Sequence, residues 1–166
     1  MTLPAPFDHP RAVPAAIALV SAAALAAALI AEHVFGLAPC ALCHYQRYAY
    51  VAALLLGLLG LFLNPRLLVA LAGLAFVTGM GIAAFHVGVE QGWWQGTAGC
   101  SAPAFDLNAT VDQMRESLLN TDFVACDKVA WSLFGISMAG YNALFSAIFA
   151  LASFAAAAKM EDKESA

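Results

Sequence analysis

Charged side chains are scarce in this chain. They make up 11% of its 166 residues, with 7 lysines and arginines and 11 aspartates and glutamates, against 63% hydrophobic residues. Soluble domains carry roughly 25% charged residues because their surfaces face water, so this composition excludes an ordinary soluble domain. A mean hydropathy of +0.80 points the same way. Basic runs are also missing, and a net charge of −4 leaves no argument for a nucleic-acid partner. The length fits one domain, residues 1–166. Cysteine is limited to 4 residues, so its placement matters more than its number.

What the chain has in quantity is apolar sequence. Four stretches meet the ~20-residue requirement of a membrane-spanning helix, at about 13–31, 42–63, 67–87 and 129–158. The first is longer than the ~7–15 apolar residues of a signal peptide, and it is read as a retained span. Asn64-Pro65-Arg66 is a short turn that makes the second and third spans antiparallel neighbours. Arg11, Arg66, Lys159 and Lys163 fall on one side and Arg115 and Lys128 on the other, a bias that places both termini in the cytoplasm. Outer loops then cover about 32–41 and 88–128. The expected fold is all-α, an integral membrane four-helix bundle. Gly57, Gly60, Gly73, Gly79, Gly81, Gly135 and Gly140 are read as sites of close helix approach.

Both cysteine pairs fall on the outer side, where disulfides persist. Pro39 precedes Cys40-Ala41-Leu42-Cys43, and proline favours the start of a helix. Both thiols would then lie in a first helical turn, whose partial positive charge lowers a thiol pKa. Cys40, Cys43 and Arg47 share one helical stripe. An arginine inside the apolar zone costs ~2.5–3.5 kcal/mol on insertion scales, so Arg47 needs a partner or must snorkel to the interface. Its charge suits a thiolate, and equally the oxyanion of a quinone undergoing reduction.

Two other chemistries fit parts of this pattern. Cys40 to His44 matches the C-x-x-C-H signature of covalent haem attachment, although the preceding loop, about 31–39, is short for wrapping a haem and Cys100 and Cys126 stay unexplained. A zinc site on the four cysteines is disfavoured by the wide second spacing, and no metal is expected.

The long loop, 88–128, is polar and acidic. A disulfide between Cys100 and Cys126 would tie it shut, either as a staple or as a working bond. Thr110-Val111-Asp112-Gln113 resembles a capping box, and Val111, Met114 and Leu118 fall at helical spacing, which predicts a short helix in this second outer loop. Trp93, Trp94 and Trp131 are placed as interfacial anchors. His86 closes the third span on the same side as Arg47, a candidate to line a shared pocket or an interfacial hydrogen-bonding residue. The triplet Asn108-Ala109-Thr110 matches a glycosylation sequon but carries no weight.

Taken together, Pro39-Cys40-Ala41-Leu42-Cys43, Arg47 four residues on, Cys100 with Cys126, and Trp131-Ser132-Leu133-Phe134-Gly135-Ile136-Ser137-Met138 within a four-span layout resemble the disulfide bond formation protein B (DsbB) family. These are bacterial inner-membrane thiol:quinone oxidoreductases. The resemblance implies that a periplasmic DsbA-like dithiol is reoxidised and two electrons pass to a membrane quinone, ubiquinone or menaquinone. It implies that Cys100 receives the partner in a mixed disulfide, that Cys126 exchanges with Cys40, and that Cys43 meets the quinone beside Arg47, with His86 a further quinone-site residue. For the DsbA–DsbB–quinone relay itself the established potentials explain the membrane setting. DsbA lies near about −120 mV and protein disulfide isomerase near about −180 mV, and 30 mV is ~1.4 kcal/mol for two electrons, so a non-thiol acceptor must drain the chain.

Overall fold

The computed structural model describes residues 11–97, 100, 110, 112 and 124–164. Four helices dominate these residues: α1 (Ala12–His33), α2 (Ala41–Gly60), α3 (Pro65–Glu90) and α4 (Met138–Glu164). A two-stranded hairpin, β1 (Ser132–Leu133) and β2 (Ile136–Ser137), precedes α4. Of the short helix expected around 111–118 only Asp112, which is helical, falls among the described residues.

Local chemistry sets three of the helix starts. Asn64 caps α3 by accepting from the Leu67 N–H at 3.1 Å, with Pro65 in the first helical turn. Cys40 caps α2 through its sulfur, which accepts from the Cys43 N–H at 3.3 Å. Ser137 Oγ accepts from the Gly140 N–H at 3.1 Å and donates to Glu90, so it caps α4 and ties it to the end of α3.

One of the expected spans needs correcting. The apolar run from 129 does not enter a helix until Met138. Phe134 and Gly135 both take positive φ, 50° and 77°, the conformation of a tight hairpin turn, and the chain reverses there before the helix starts. α2 covers most of the expected second span but stands apart in composition. Three helices, α1, α3 and the 138–160 part of α4, are long and apolar enough to cross a membrane. The first half of α2 is diluted by His44, Tyr45, Gln46, Arg47 and Tyr48.

Packing explains part of that dilution. The helices stack as antiparallel neighbours, α1 on α2, α2 on α3 and α3 on α4. Small residues fill the interior, with Ala53, Ala72 and Ala83 fully buried beside Val69 and Phe76. Large apolar side chains point outward, among them Leu19, Leu55, Leu74, Ile148 and Leu151. A soluble bundle sorts these classes the other way, whereas lipid gains nothing from burying leucine and close approach favours small residues. The polar residues Gln46 and Tyr50 of α2 are buried inside the bundle, where they meet α3 and α4.

The glycines divide in the same way. A Cβ on Gly57 would lie 2.8 Å from the Ala18 backbone nitrogen, and one on Gly79 3.2 Å from Ala49 Cβ, so these positions set helix spacing. Gly135 serves the hairpin turn, and Gly81 faces open space, with nothing within 4 Å. Gly57→Ala is therefore expected to lower thermal stability in detergent by an overpacking cost of about 1–3 kcal/mol. Gly81→Ala should leave the melting temperature unchanged or raised, and a matching loss at both sites would contradict this packing.

Candidate redox site

At the end of the bundle where α2 begins and α3 ends, Cys40, Leu42, Val89, Cys100 and Cys126 form one buried cluster. Cys100 and Cys126 are joined in a disulfide. Cys40 and Cys43 are free thiols with their sulfurs 2.8 Å apart. Cys40 is 5% exposed and Cys126 is fully enclosed, while Cys43 is half-buried. Two pairs far apart in sequence thus share one apolar site.

His86 stands between them. Its Nε2 lies 3.6 Å from Cys40 Sγ and 3.2 Å from the Cys126 carbonyl oxygen. Its Nδ1 lies 3.0 Å from Gln46 Nε2. The sequence had offered His86 as a lining residue on Arg47's side; here its polar contacts are to the two cysteine pairs and to Gln46. Cys40, Cys43 and His86 also bring three potential metal-ligand atoms within 4.8 Å of one another.

Arg47 has the partner that its cost required. It donates to Glu32 Oε2 at 2.5 Å and to the Ala28 carbonyl at 3.2 Å, so the last turn of α1 receives the guanidinium. Both side chains are largely screened from solvent, at 19% and 24% exposure. Glu32 escaped the sequence reading because it sits just past the first apolar run, with no spacing relation to Arg47. Gln46, Tyr50, Asn142 and Ser146 were also missed. Asn142 and Ser146 are isolated in an apolar helix, Gln46 and Tyr50 lie in the polar first half of α2, and only the helix packing joins them. The available signal was their rarity, since polar side chains inside spans face the bundle interior.

Cys40 sits just ahead of the α2 span. Its thiol is pulled down to about 4, first by the hydrogen bond with Cys43, then by His86 and the Cys43 backbone N–H, all acting against burial. A dithiol with one stabilised thiolate favours the reduced form, which makes the corresponding disulfide a stronger oxidant. The sign for stability follows directly. The folded value lies below the ordinary one, so the contribution to the dithiol protein is present above the ordinary thiol range and is lost as pH falls through about 4. An ultraviolet thiolate titration of the dithiol protein should keep one thiolate well below neutral pH. His86→Ala should move that midpoint upward, and an unmoved midpoint would remove His86 from the causes.

A cavity of about 450 Å³ lined by Asn64, Arg66, Leu67, Ala70, Ala157 and Ala158 lies at the opposite end of the bundle, away from this site.

Apolar helices around a dithiol and a neighbouring disulfide define a membrane protein of thiol–disulfide chemistry. The chain matches the family described as Disulfide bond formation protein DsbB over residues 10–156. It is 35% identical over 136 residues to Disulfide bond formation protein B of Marinobacter nauticus, covering 76% of this chain and 79% of that protein. The protein of the same name from Polaromonas naphthalenivorans is 30% identical over 159 residues, covering 92% and 94%. No solved structure matches the chain. The protein belongs to the DsbB family of membrane disulfide bond formation proteins. The haem reading of Cys40 to His44 finds no support in this family, and His44 is exposed.

Proposed function

We propose that this protein is a thiol:quinone oxidoreductase of the bacterial inner membrane, reoxidising a periplasmic DsbA-like dithiol. The observation that carries the reading is the convergence of both cysteine pairs on His86, with Cys40 Sγ and the Cys126 carbonyl at 3.6 and 3.2 Å from one imidazole nitrogen. In this reading α2 is the fourth span and residues 1–166 form a single membrane domain. Arg11, Arg66 and Lys159 gather at the end of the bundle remote from the cysteines, which favours cytoplasmic termini and periplasmic thiols.

The cycle starts from both pairs as disulfides. A partner thiolate attacks Cys100, forming a mixed disulfide and releasing Cys126 as a thiolate. Cys126 attacks Cys40, forming a Cys40–Cys126 disulfide and releasing Cys43. The second partner thiol resolves the mixed disulfide, so the partner leaves oxidised and Cys100 leaves as a thiol. Cys100 then attacks Cys126, restoring their disulfide and expelling Cys40. A low leaving-group pKa speeds such a step, and the environment of Cys40 supplies it. The Cys40–Cys43 dithiol would close again to its disulfide by giving two electrons and two protons to a membrane quinone, ubiquinone or menaquinone.

The residues near Cys43 suit such an acceptor. Cys43 is half-buried, Phe35 and Tyr48 are exposed apolar rings near the same end of α2, and Arg47 lies one turn along the helix from Cys43. Glu32 and Ala28 engage two of the guanidinium nitrogens, and an arginine carries five N–H donors, so donors are left to orient a carbonyl oxygen. Glu32 fixes the guanidinium and balances its charge.

Mixing a reduced DsbA-like protein with this one in detergent and following quinone absorbance tests the assignment. Dithiol-dependent quinol formation is expected, and Cys43→Ser should abolish it. Arg47→Ala should raise the apparent quinone KM roughly tenfold, the loss of about one charge-assisted hydrogen bond, with little change in the partner's KM. Full turnover by Cys43→Ser would refute the route.

A further inference from the structure

A line of buried polar side chains leads from His86 into the bundle. Gln46 Nε2 lies 3.0 Å from His86 Nδ1, and Asn142 Nδ2 donates to Gln46 Oε1. Asn142 Oδ1 accepts from the Tyr50 hydroxyl at 2.8 Å and from Ser146 Oγ at 3.3 Å, and the two hydroxyls lie 3.2 Å apart. Gln46, Tyr50, His86 and Ser146 are all buried. In an apolar bundle each donor and acceptor must find its match within the line.

That requirement gives the line a direction. A carbonyl oxygen only accepts, so the imidazole nitrogen facing Cys126 at 3.2 Å must carry a hydrogen. Burial of this ring disfavours an imidazolium, and in the neutral ring Nδ1 then holds the lone pair. Gln46 must offer its NH2 group there, which turns its oxygen toward Asn142. Asn142 must answer with its own NH2, which leaves its oxygen for Tyr50 and Ser146, both able to donate. The reversed line would set a lone pair of Nε2 against the Cys126 oxygen. The observed amide orientations satisfy every member.

We propose that Tyr50, Ser146, Asn142 and Gln46 are positioning residues that hold His86 as the neutral Nε2–H tautomer, its N–H aimed between Cys40 Sγ and the Cys126 carbonyl. His86 is then a fixed hydrogen-bond donor to the Cys40 thiolate rather than a base that removes its proton. Cys126 lies in the loop that exchanges disulfides, so its carbonyl is not a constant anchor, while Gln46 and Asn142 sit on helices and keep the tautomer through the cycle. The same tautomer leaves Nε2 without a lone pair for a metal, although three ligand atoms stand close by. The functional consequence rests on the proposed thiol exchange; the tautomer itself does not.

Nitrogen NMR of the full-length protein in detergent, labelled at histidine and assigned with His86→Gln, reads the tautomer without partner or quinone. His86 is expected to show a protonated Nε2 and an unprotonated, hydrogen-bonded Nδ1. Asn142→Leu, which touches neither His86 nor a cysteine, frees the Gln46 amide to invert, and the Nδ1 resonance should shift. If that variant does not fold, Tyr50→Phe combined with Ser146→Ala removes the terminal donors and should shift the same resonance. Protonation of Nδ1 in the native protein, or an unmoved Nδ1 resonance in the folded variants, overturns the proposal. A missing quinol signal in the detergent assay would instead overturn the exchange reading, leaving the tautomer standing.

Discussion

The constraint on which this structure turns is the contact of one imidazole with two cysteine pairs. His86 belongs to α3, Cys40 to the start of α2, and Cys126 to the chain that leads into the hairpin before α4. For one nitrogen to reach both a sulfur and a carbonyl, three chain segments must register to within an ångström. The helix caps contribute to that register. Cys40 ends the loop after α1 by accepting a backbone N–H with the sulfur that also meets His86, so the start of α2 and the redox site are one feature. Ser137 plays a similar part across the site, capping α4 while holding Glu90 at the end of α3.

A membrane setting decides which forces hold the rest. Leucines such as Leu19, Leu55 and Leu151 face outward while Ala53, Ala72, Ser21 and Ser146 are buried, so cohesion comes from close backbone approach and interhelical hydrogen bonds rather than expulsion of apolar surface from water. Bonds of this kind contribute roughly 0.6–2 kcal/mol each. The line from Tyr50 to His86 joins three helices with several of them. The first half of α2 carries two members of that line together with Arg47.

Arg47 shows how a charge is kept inside such a bundle. Unpaired, it would cost ~2.5–3.5 kcal/mol at the helix centre. Glu32 and the Ala28 carbonyl offset that cost from the last turns of α1. The site therefore has an ion pair on one flank and the hydrogen-bonded line behind His86 on the other, with the thiols between them.

Much of this protein was legible before any coordinates. Scarce charge and long apolar runs carried the helical membrane class, because each residue's preference for lipid or water adds along a segment. Proline before Cys40 and the Asn64-Pro65 turn located two helix starts, because caps are local. The spacing of Cys40, Cys43 and Arg47 placed them on one stripe for the same reason. The start of α4 was misplaced because hydropathy does not distinguish a hairpin from a helix, and Phe134-Gly135 needed its backbone angles to declare itself. Gly81 and Gly135 looked like packing glycines until their surroundings were visible. What only the tertiary structure decided were the partners across helices: Glu32 for Arg47, Gln46 and Asn142 behind His86, and His86 between the two cysteine pairs. A lone polar residue in an apolar run states that it needs a partner. Which partner it meets depends on the rotation and depth of neighbouring helices, and those are set by packing rather than by sequence distance.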